Sequence, residues 1–264
     1  TYTATGMPTT MSMSTAGVLS GIPLNADVGL HNVVVTATDS ATPAGSVSDT
    51  YVLTVVNTND DPTVATEISD ASTNEDAAYT LDASTGFSDV DVGDTLTYTM
   101  SGAPSTLSID LNTGVITGTP LNADVGVHTI TVTATDDGTG TPSVSDEFDL
   151  TVVNTNDAPT HGCASSSSFN EDQTSSTFNE ALCWNDVDVG DTLSFSETGS
   201  PAGLSLVKGV WTIAPTNADV GVHSILITAD DGDTTTIVTW TVTVVNTDDA
   251  PTGSVTITGT PTED

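Results

Sequence analysis

Carboxylates at short spacing are the residues of this sequence that could do chemistry. "DVDVGDTL" stands at Asp89–Leu96 and again at Asp186–Leu193, and each copy places three Asp within six residues: Asp89, Asp91 and Asp94, then Asp186, Asp188 and Asp191. Two further turns, "TATDDG" and "ITADDG", set Asp136 beside Asp137 and Asp230 beside Asp231. A third type, "NED", brings Glu75 with Asp76 and Glu171 with Asp172. Paired carboxylates can hydrolyse a glycosidic bond, but that needs a cleft in which burial keeps one acid protonated, and these groups sit in turn sequences. Hard oxygen ligands on flexible loops suit calcium instead, which takes about 6–8 oxygens at roughly 2.3–2.6 Å, whereas magnesium tends to keep its waters. The cofactor expected from the residues is therefore Ca2+.

Composition sharpens the demand for a cation. The 264 residues hold 36 Asp and Glu against one cationic side chain, Lys208, for a formal net charge of −35 at pH 7. Self-repulsion on that scale opposes compaction. Nucleic acid and anionic membrane surfaces are excluded as partners, because both require a basic patch. No apolar run approaches the roughly 20 residues that cross a bilayer, so no membrane insertion is expected. Yet 36% of residues are apolar, and Val, Ile, Leu and Thr fall in short alternating runs that argue for a folded chain. Catalytic motifs are lacking: no Ser-containing elbow, no phosphate-cradling Gly loop and no Cys–His pair in a suitable context. The expectation is a protein that is not an enzyme.

The acidic turns recur because the chain repeats itself. "NTNDDP" at Asn57–Pro62 returns as "NTNDAP" at Asn154–Pro159 and "NTDDAP" at Asn246–Pro251, and "NADVG" begins at Asn25, Asn122 and Asn217. "TYTATGMP" at Thr1–Pro8 aligns with "TYTMSGAP" at Thr97–Pro104, so the first repeat is entered midway. The division expected is the C-terminal part of a first repeat over 1–60, a second over 61–157, a third over 158–249 and the start of a fourth over 250–264. A chain that begins at Thr1 without Met and is out of register at both ends reads as a window on a longer array.

The elements that must position the carboxylates are strands. Period-2 segments predict seven in the second repeat, at Val64–Ile68, Ala77–Leu81, Thr95–Met100, Thr106–Ile109, Val115–Gly118, Val127–Ala134 and Glu147–Val153, the pattern of a β-sandwich. In "VHTITVTATD" the set His128, Ile130, Val132 and Ala134 is the buried face.

"LSIDLNTGVITGTPLNADVGVHTITVTATDDG" at Leu107–Gly138, followed by "DLTVVNTNDAP", resembles the bacterial cadherin-like domains, in particular the dystroglycan-type cadherin-like repeats of giant secreted adhesins and surface proteins. The resemblance covers nearly the whole chain. It implies an all-β fold of tandem seven-stranded Ig/cadherin-like sandwiches joined end to end by short acidic linkers. It also implies an extracellular or cell-surface setting and an adhesive or structural role. The linkers depart from the cadherin pattern by reading Asn-Thr-Asn-Asp where cadherins have Asp-x-Asn-Asp-Asn, and the later acidic triplet containing Arg is missing.

Strand parity sorts the acidic turns without help from any family. If the chain enters a seven-stranded sandwich at the top, the second loop ("DVDVGD") and the sixth ("TDDG") crown it, while "NED" lies at the bottom with the exit linker. Stacking repeats end to end then brings Glu75, Asp76, Asn154, Asn156 and Asp157 against Asp186, Asp188, Asp230 and Asp231. The matching set at the first joint is Asn57, Asn59, Asp60, Asp89, Asp91, Asp136 and Asp137. Glu171, Asp172, Asn246 and Asp248 repeat it at the third. The Asp residues of "NADVG" (Asp27, Asp124, Asp219) read equally as turn-formers and as ligands, and Asp94 and Asp191 are weaker ligand candidates than the pairs before them, since Asp after Gly can simply begin the next strand. Zinc is poorly supported, since His31, His128 and His223 recur at one strand position and His161 falls in a linker.

The third repeat carries features of its own. Cys163 and Cys183 lie 20 residues apart near two strands expected to be antiparallel neighbours, so a disulfide can join them where secretion permits it. Trp184, Trp211 and Trp240 all fall in this repeat. The function expected is a calcium-rigidified extender of a fibre, stalk or giant adhesin, its partners being calcium ions and neighbouring repeats or copies of itself. The alternative is a ligand-gripping adhesin or carbohydrate-binding module that uses the Trp-containing repeat. The tail Gly253–Asp264, where Val255 and Ile257 alternate with Thr, is too short to supply both strands missing from the first repeat. A continuous long chain is the expected way to cover them.

Overall fold

Alternation in "VHTITVTATD" becomes two surfaces in the computed structural model, which describes residues 1–256, 258, 259 and 263. Strand Gly126–Asp136 buries Ile130, Val132 and Ala134 and turns its Thr residues outward, with His128 half-buried. Among the described residues the regular elements are strands and short 3-10 turns. The chain divides into two compact units, 1–154 and 155–264.

The first unit contains the incomplete first repeat and the whole second one. In the second, a four-stranded sheet runs in the order Leu96–Ser101, Gly126–Asp136, Ser143–Val153, Ala71–Asn74. A three-stranded sheet of Leu107–Ile109, Val115–Gly118 and Tyr79–Asp82 accompanies it. Ile116, Ile130, Val132, Phe148 and Leu150 form one buried cluster, each worth about 1.5–3 kcal/mol of transfer free energy. In the first repeat Val33 is buried, while Leu30, Val47 and Val52 are exposed.

Two predicted strands are corrected. Val64–Ile68 is regular only at Thr63–Val64, which pairs with Phe87–Ser88, and the chain then crosses to the other sheet as Ala71–Asn74, parallel to Ser143–Val153. Ala77–Leu81 is observed as Tyr79–Asp82 and continues through a 3-10 turn at Ala83–Gly86 into Phe87–Ser88. The first crossing is held by polar groups that alternation does not report. The Ile68 N–H donates to Asp146 Oδ2 at 2.6 Å, and the Asp149 N–H donates to Asp70 Oδ1 at 2.9 Å. Neither crossing reverses the chain, so each loop still lies at the end that parity gives it.

The second unit repeats the plan. The order Ser166–Asn170, Thr235–Val245, Gly221–Asp230, Ser194–Thr198 forms one sheet and Ser176–Asn179, Val210–Ile213, Leu204–Val207 the other. Its core contains Trp184, Trp211 and Trp240, which are buried. They are therefore not the exposed stacking platforms that a carbohydrate-binding reading requires. Cys163 and Cys183 are joined in a disulfide, with Cα atoms 5.1 Å apart. His161 is not a linker residue but part of strand Thr160–His161, paired with Trp184–Asn185. In the tail Val255 is exposed, and Ile257 lies outside the described residues.

The "NADVG" segments are 3-10 turns closed by their Asp. Asp124 Oδ2 accepts from the Leu121 N–H at 3.0 Å and Thr106 Oγ1 at 2.7 Å, and Asp219 Oδ2 accepts from the Thr216 N–H and hydroxyl. Asp27 is held in the same way by Leu24 and Thr10. His31, His128 and His223 each donate Nε2–H to the carbonyl oxygen of that Asp, at 2.6, 2.6 and 2.7 Å. These Asp and His residues build turns.

Candidate metal centre

At one end of the second repeat, the pairing of Leu96 with Asp136 sets the loop 89–95 beside the loop 137–142. The linker enters between them. The Asp60 N–H donates to Asp91 Oδ2 at 2.6 Å, and the Asp91 N–H to Asp89 Oδ1 at 2.8 Å. Asn25, in the 3-10 turn of the first repeat, donates Nδ2–H to Asp60 Oδ2 at 2.8 Å. Asn59 packs against Gly138, where any Cβ would collide with its Oδ1. Asn57, half-buried, joins none of these bonds.

This end is short of hydrogen-bond donors. Asp136 is 1% exposed and neither of its carboxylate oxygens has a hydrogen-bond partner, and the same holds for Asp91 Oδ1 and Asp89 Oδ2. Asp94, Asp136 and Asp137 each bring an oxygen within 4.8 Å of the other two. Asp137 is held below the ordinary carboxylate range by the N–H and hydroxyl of Thr95. Asp94 is pushed up, first by partial loss of solvent and then by repulsion from Asp136, Asp91, Asp137 and Asp89. At the other end of the repeat the Glu75 N–H donates to the Val153 carbonyl, next to Asn154. Asp76 adopts φ 55° with its N–H on the Pro120 carbonyl.

The second unit wires its corresponding end alike. The Asp157 N–H donates to Asp188 Oδ2 at 2.7 Å, and the Asp188 N–H to Asp186 Oδ1 at 3.0 Å. Asp186, Asp188 and Asp191 converge within 4.8 Å, and Asp186 Oδ2 is buried without a partner. Asp191, like Asp94, is pushed up by partial loss of solvent and by its Asp neighbours. Asp231 differs from its counterpart Asp137. It accepts from the Thr234 and Asp233 N–H groups, the Thr234 hydroxyl and Asn156 Nδ2, which together hold it far below the ordinary value of 3.8. Asp230 is half-buried and accepts from the Gly232 N–H.

At the far end of this unit Glu171 is 2% exposed. Its Oε1 accepts from the Thr247 N–H at 2.6 Å, and its Oε2 has no partner. Asp172 sits at φ 54°, and Asn246 bonds the Thr247 carbonyl. Asp248 is exposed, while the next residue, Asp249, accepts from Asn217 Nδ2 at 3.0 Å as Asp60 does from Asn25. Asp94 and Asp191, the weaker candidates in the sequence, thus join the acidic ends, and so does Asp249, which the sequence motifs do not single out. Aligning the linkers residue by residue finds Asp249, as the equivalent of Asp60 and Asp157.

A buried carboxylate with no donor and no counterion is costly. Among the described residues no Lys or Arg pairs with any carboxylate, the one contact of that kind being His161 with Glu180. The donor set is all oxygen, on loops fixed by backbone bonds, and it fits a hard divalent cation. Asn59, Asp60, Asp89, Asp91, Asp94, Asp136 and Asp137 are the residues that could hold it in the first unit.

Comparison with known proteins agrees with this architecture. The sequence profile of the putative Ig domain matches residues 1–56 and 61–153, and that of the bacterial Ig domain matches 156–245. No curated protein matches the chain. Among solved structures, that of PcdhgB3 EC1-4 aligns with 94% of this chain and 67% of its own at 18% identity and a TM-score of 0.53. Mouse cadherin-23 EC22-24 aligns with 94% of this chain and 86% of its own at 21% identity and a TM-score of 0.49. The endo-fucoidan hydrolase MfFcnA4 from glycoside hydrolase family 107 aligns at 23% identity and a TM-score of 0.37, the present chain spanning 39% of its length. With the first profile covering more than half of the sequence and the second most of the remainder, the chain belongs to the putative Ig domain family and is a bacterial Ig-like repeat protein of cadherin-like fold.

Proposed function

We propose that this protein is a non-enzymatic structural or adhesive component of the cell exterior whose acidic repeat ends bind calcium. The observation that carries the reading is Asp136: a carboxylate 1% exposed, both oxygens without a hydrogen-bond donor, among Asp89, Asp91, Asp94 and Asp137. In a chain with one Lys and no Arg, a bound cation is the partner that answers both its charge and its lack of donors. Repetition of the arrangement at Asp186 and Glu171 supports a role shared by the repeats. Calcium would supply charge neutralisation and a rigid coordination shell. The protein's own residues fix the loops that form it, through Asp60 on Asp91 and Asp157 on Asp188. Fibre, stalk or adhesin extension is the use that tandem repeats with short acidic linkers serve best.

Calorimetric titration of the chelator-treated chain tests this. Calcium should bind exothermically or endothermically with saturation, magnesium at the same concentration should compete weakly, and melting should rise with calcium. A ligand confined to the folded state adds about 2.7 kcal/mol per site at a hundredfold excess over Kd. Absence of saturable heat together with an unchanged melting temperature would refute calcium binding.

A further inference from the structure

We propose that the third repeat contains a binding site for a small apolar amine, independent of the acidic ends. A cavity of about 430 Å³ lies in the second unit, within the size range of small-molecule pockets. Its walls include Phe169, Phe178, Ile213 and Trp240, and Glu180 lies at its base. The rim residues Ala164, Ser165, Ser176 and Thr177 are exposed, whereas Glu180 is 3% exposed.

Comparison with the second repeat shows that the cavity is built by particular substitutions. Strand pairing equates Ser176, opposite Ile213, with Tyr79, opposite Gly118. The Gly162 N–H bonds the Cys183 carbonyl as the Ala65 N–H bonds that of Gly86, and Ser167 stands opposite Val242 as Ala71 stands opposite Leu150, so the third repeat is one residue shorter between these points and carries Ala164, Ser165 and Ser166 where the second carries Ile68. Ile68 and Tyr79 pack against the core of the second repeat. Ser176 in place of Tyr79, with no large apolar residue among Ala164, Ser165 and Ser166, leaves space that the disulfide fills only in part, on the side where a Cβ at Gly86, the counterpart of Cys183, would meet Ile68.

Polar groups enter the same region together. Glu180 follows the turn-capping Asn179 as the buried Ala83 follows Asp82. Trp184, Trp211 and His161 take the places of Phe87, Ile116 and Val64. Trp184 Nε1–H donates to Glu180 Oε1 at 3.0 Å and Trp211 Nε1–H to Oε2 at 3.1 Å, while His161 Nε2 lies 3.4 Å from Oε1. A carboxylate offers about four acceptor positions, so these three contacts leave one, on Oε2. Among the described residues no Lys or Arg lines the cavity. Its chemistry therefore rejects anions and accepts an apolar body with a protonated nitrogen, which the indole and phenyl faces also favour.

Titration of the full chain with 2-phenylethylamine, followed by fluorescence of the three indoles, tests the proposal, because all three lie in this unit. A saturable change is expected, with phenylacetate at least tenfold weaker. Ser176→Tyr, which restores the residue of the second repeat, and Ser165→Ile, which adds apolar bulk at the rim, should each weaken binding at least tenfold. Glu180→Gln should remove the preference for the amine over uncharged ethylbenzene while the far-ultraviolet dichroism stays that of the parent. The proposal is overturned by no saturation up to about 10 mM, the range of very weak ligands. It is equally overturned by phenylacetate binding as well as the amine, or by both serine variants, folded by dichroism, binding as the parent does.

Discussion

At the residue scale the central question is what a buried carboxylate without a hydrogen-bond donor contributes with and without a cation. Asp136 has no hydrogen-bond donor and lies beside Asp94 and Asp137, so without an ion it contributes repulsion, and with the calcium proposed above it would become a ligand. The two states therefore respond oppositely to one substitution. Asp136→Asn should raise the melting temperature in chelator and lower it in saturating calcium, cutting the calcium-dependent gain by up to about 2.7 kcal/mol at a hundredfold excess over the parent Kd. Asp110→Asn is the contrast. Its carboxylate accepts from the Asn112 and Thr113 N–H groups and the Thr113 hydroxyl within one turn, so the variant should lose the same stability with and without calcium. Melting curves of both variants, with chelator and with calcium, check the pair. A loss at Asp136 that ignored calcium would show that this carboxylate is only a packing element.

Elements make two kinds of acid whose pH responses differ in sign. Asp219 is held below its ordinary value by the Thr216 N–H above all, and Asp124 by the Leu121 N–H and Thr106. A depressed folded-state value gives stability that is present above the unfolded value near 3.9 and disappears as pH falls through the folded one. Asp94 and Asp191 are raised, so what they add is present below the unfolded value and is lost as pH rises through the folded one. In chelator, melting should accordingly improve as pH falls through the raised values of Asp94 and Asp191 and decline below about 4. Calcium should flatten the first limb and leave the second. Asp219→Ala, which strips the turn of an acceptor for the Thr216 N–H and hydroxyl, should cost about 1–2 kcal/mol at neutral pH. The disulfide acts on a different element, tying the start of the third repeat to its 3-10 turn, and Cys163→Ala with Cys183→Ala should cost about 3 kcal/mol for a loop of this length.

How much of this can be read from the sequence also divides by element. The long strands Gly126–Asp136 and Ser143–Val153 announce themselves, because many residues of strict alternation have one buried face. Thr63–Val64 and Ala71–Asn74 do not: the chain changes sheets between them on the strength of the Asp146 and Asp70 side chains, distant in sequence from the groups they bind. Strand parity nonetheless places the acidic turns, since a sheet change leaves chain direction unaltered. Asp94 is a weaker candidate in the sequence because Asp after Gly can simply begin the next strand, and the loop's closure beside Asp136 brings it into the cluster. Glu180 is invisible as a buried group, since a Glu in a polar stretch reads as surface until two indoles from separate strands are found pointing at it.

For the whole molecule, a net charge of −35 is a force as well as a composition. Charges farther apart than about 8 Å are largely screened at physiological ionic strength, so what remains is concentrated where carboxylates crowd, at the ends of repeats. A short Asn/Thr/Asp linker has no hydrophobic lock of its own, and its rigidity then depends on whether the crowded charge is neutralised. The first joint lets this be argued from named atoms: Asp60 accepts from Asn25 of one repeat and donates its N–H to Asp91 of the next, so a cation on Asp91 and Asp136 would fix the linker residue that carries both contacts. Small-angle scattering in chelator and in calcium is the corresponding measurement. Calcium should lengthen the maximum dimension and sharpen the distance distribution toward that of a stiff rod, and raising salt without calcium should reproduce only part of the change, because screening removes repulsion but adds no coordination shell. If salt alone gave the whole change, neutralisation without a bound ion would explain the stiffening; if neither altered the profile, the linkers would be rigid by their hydrogen bonds alone and the extender role would not need calcium.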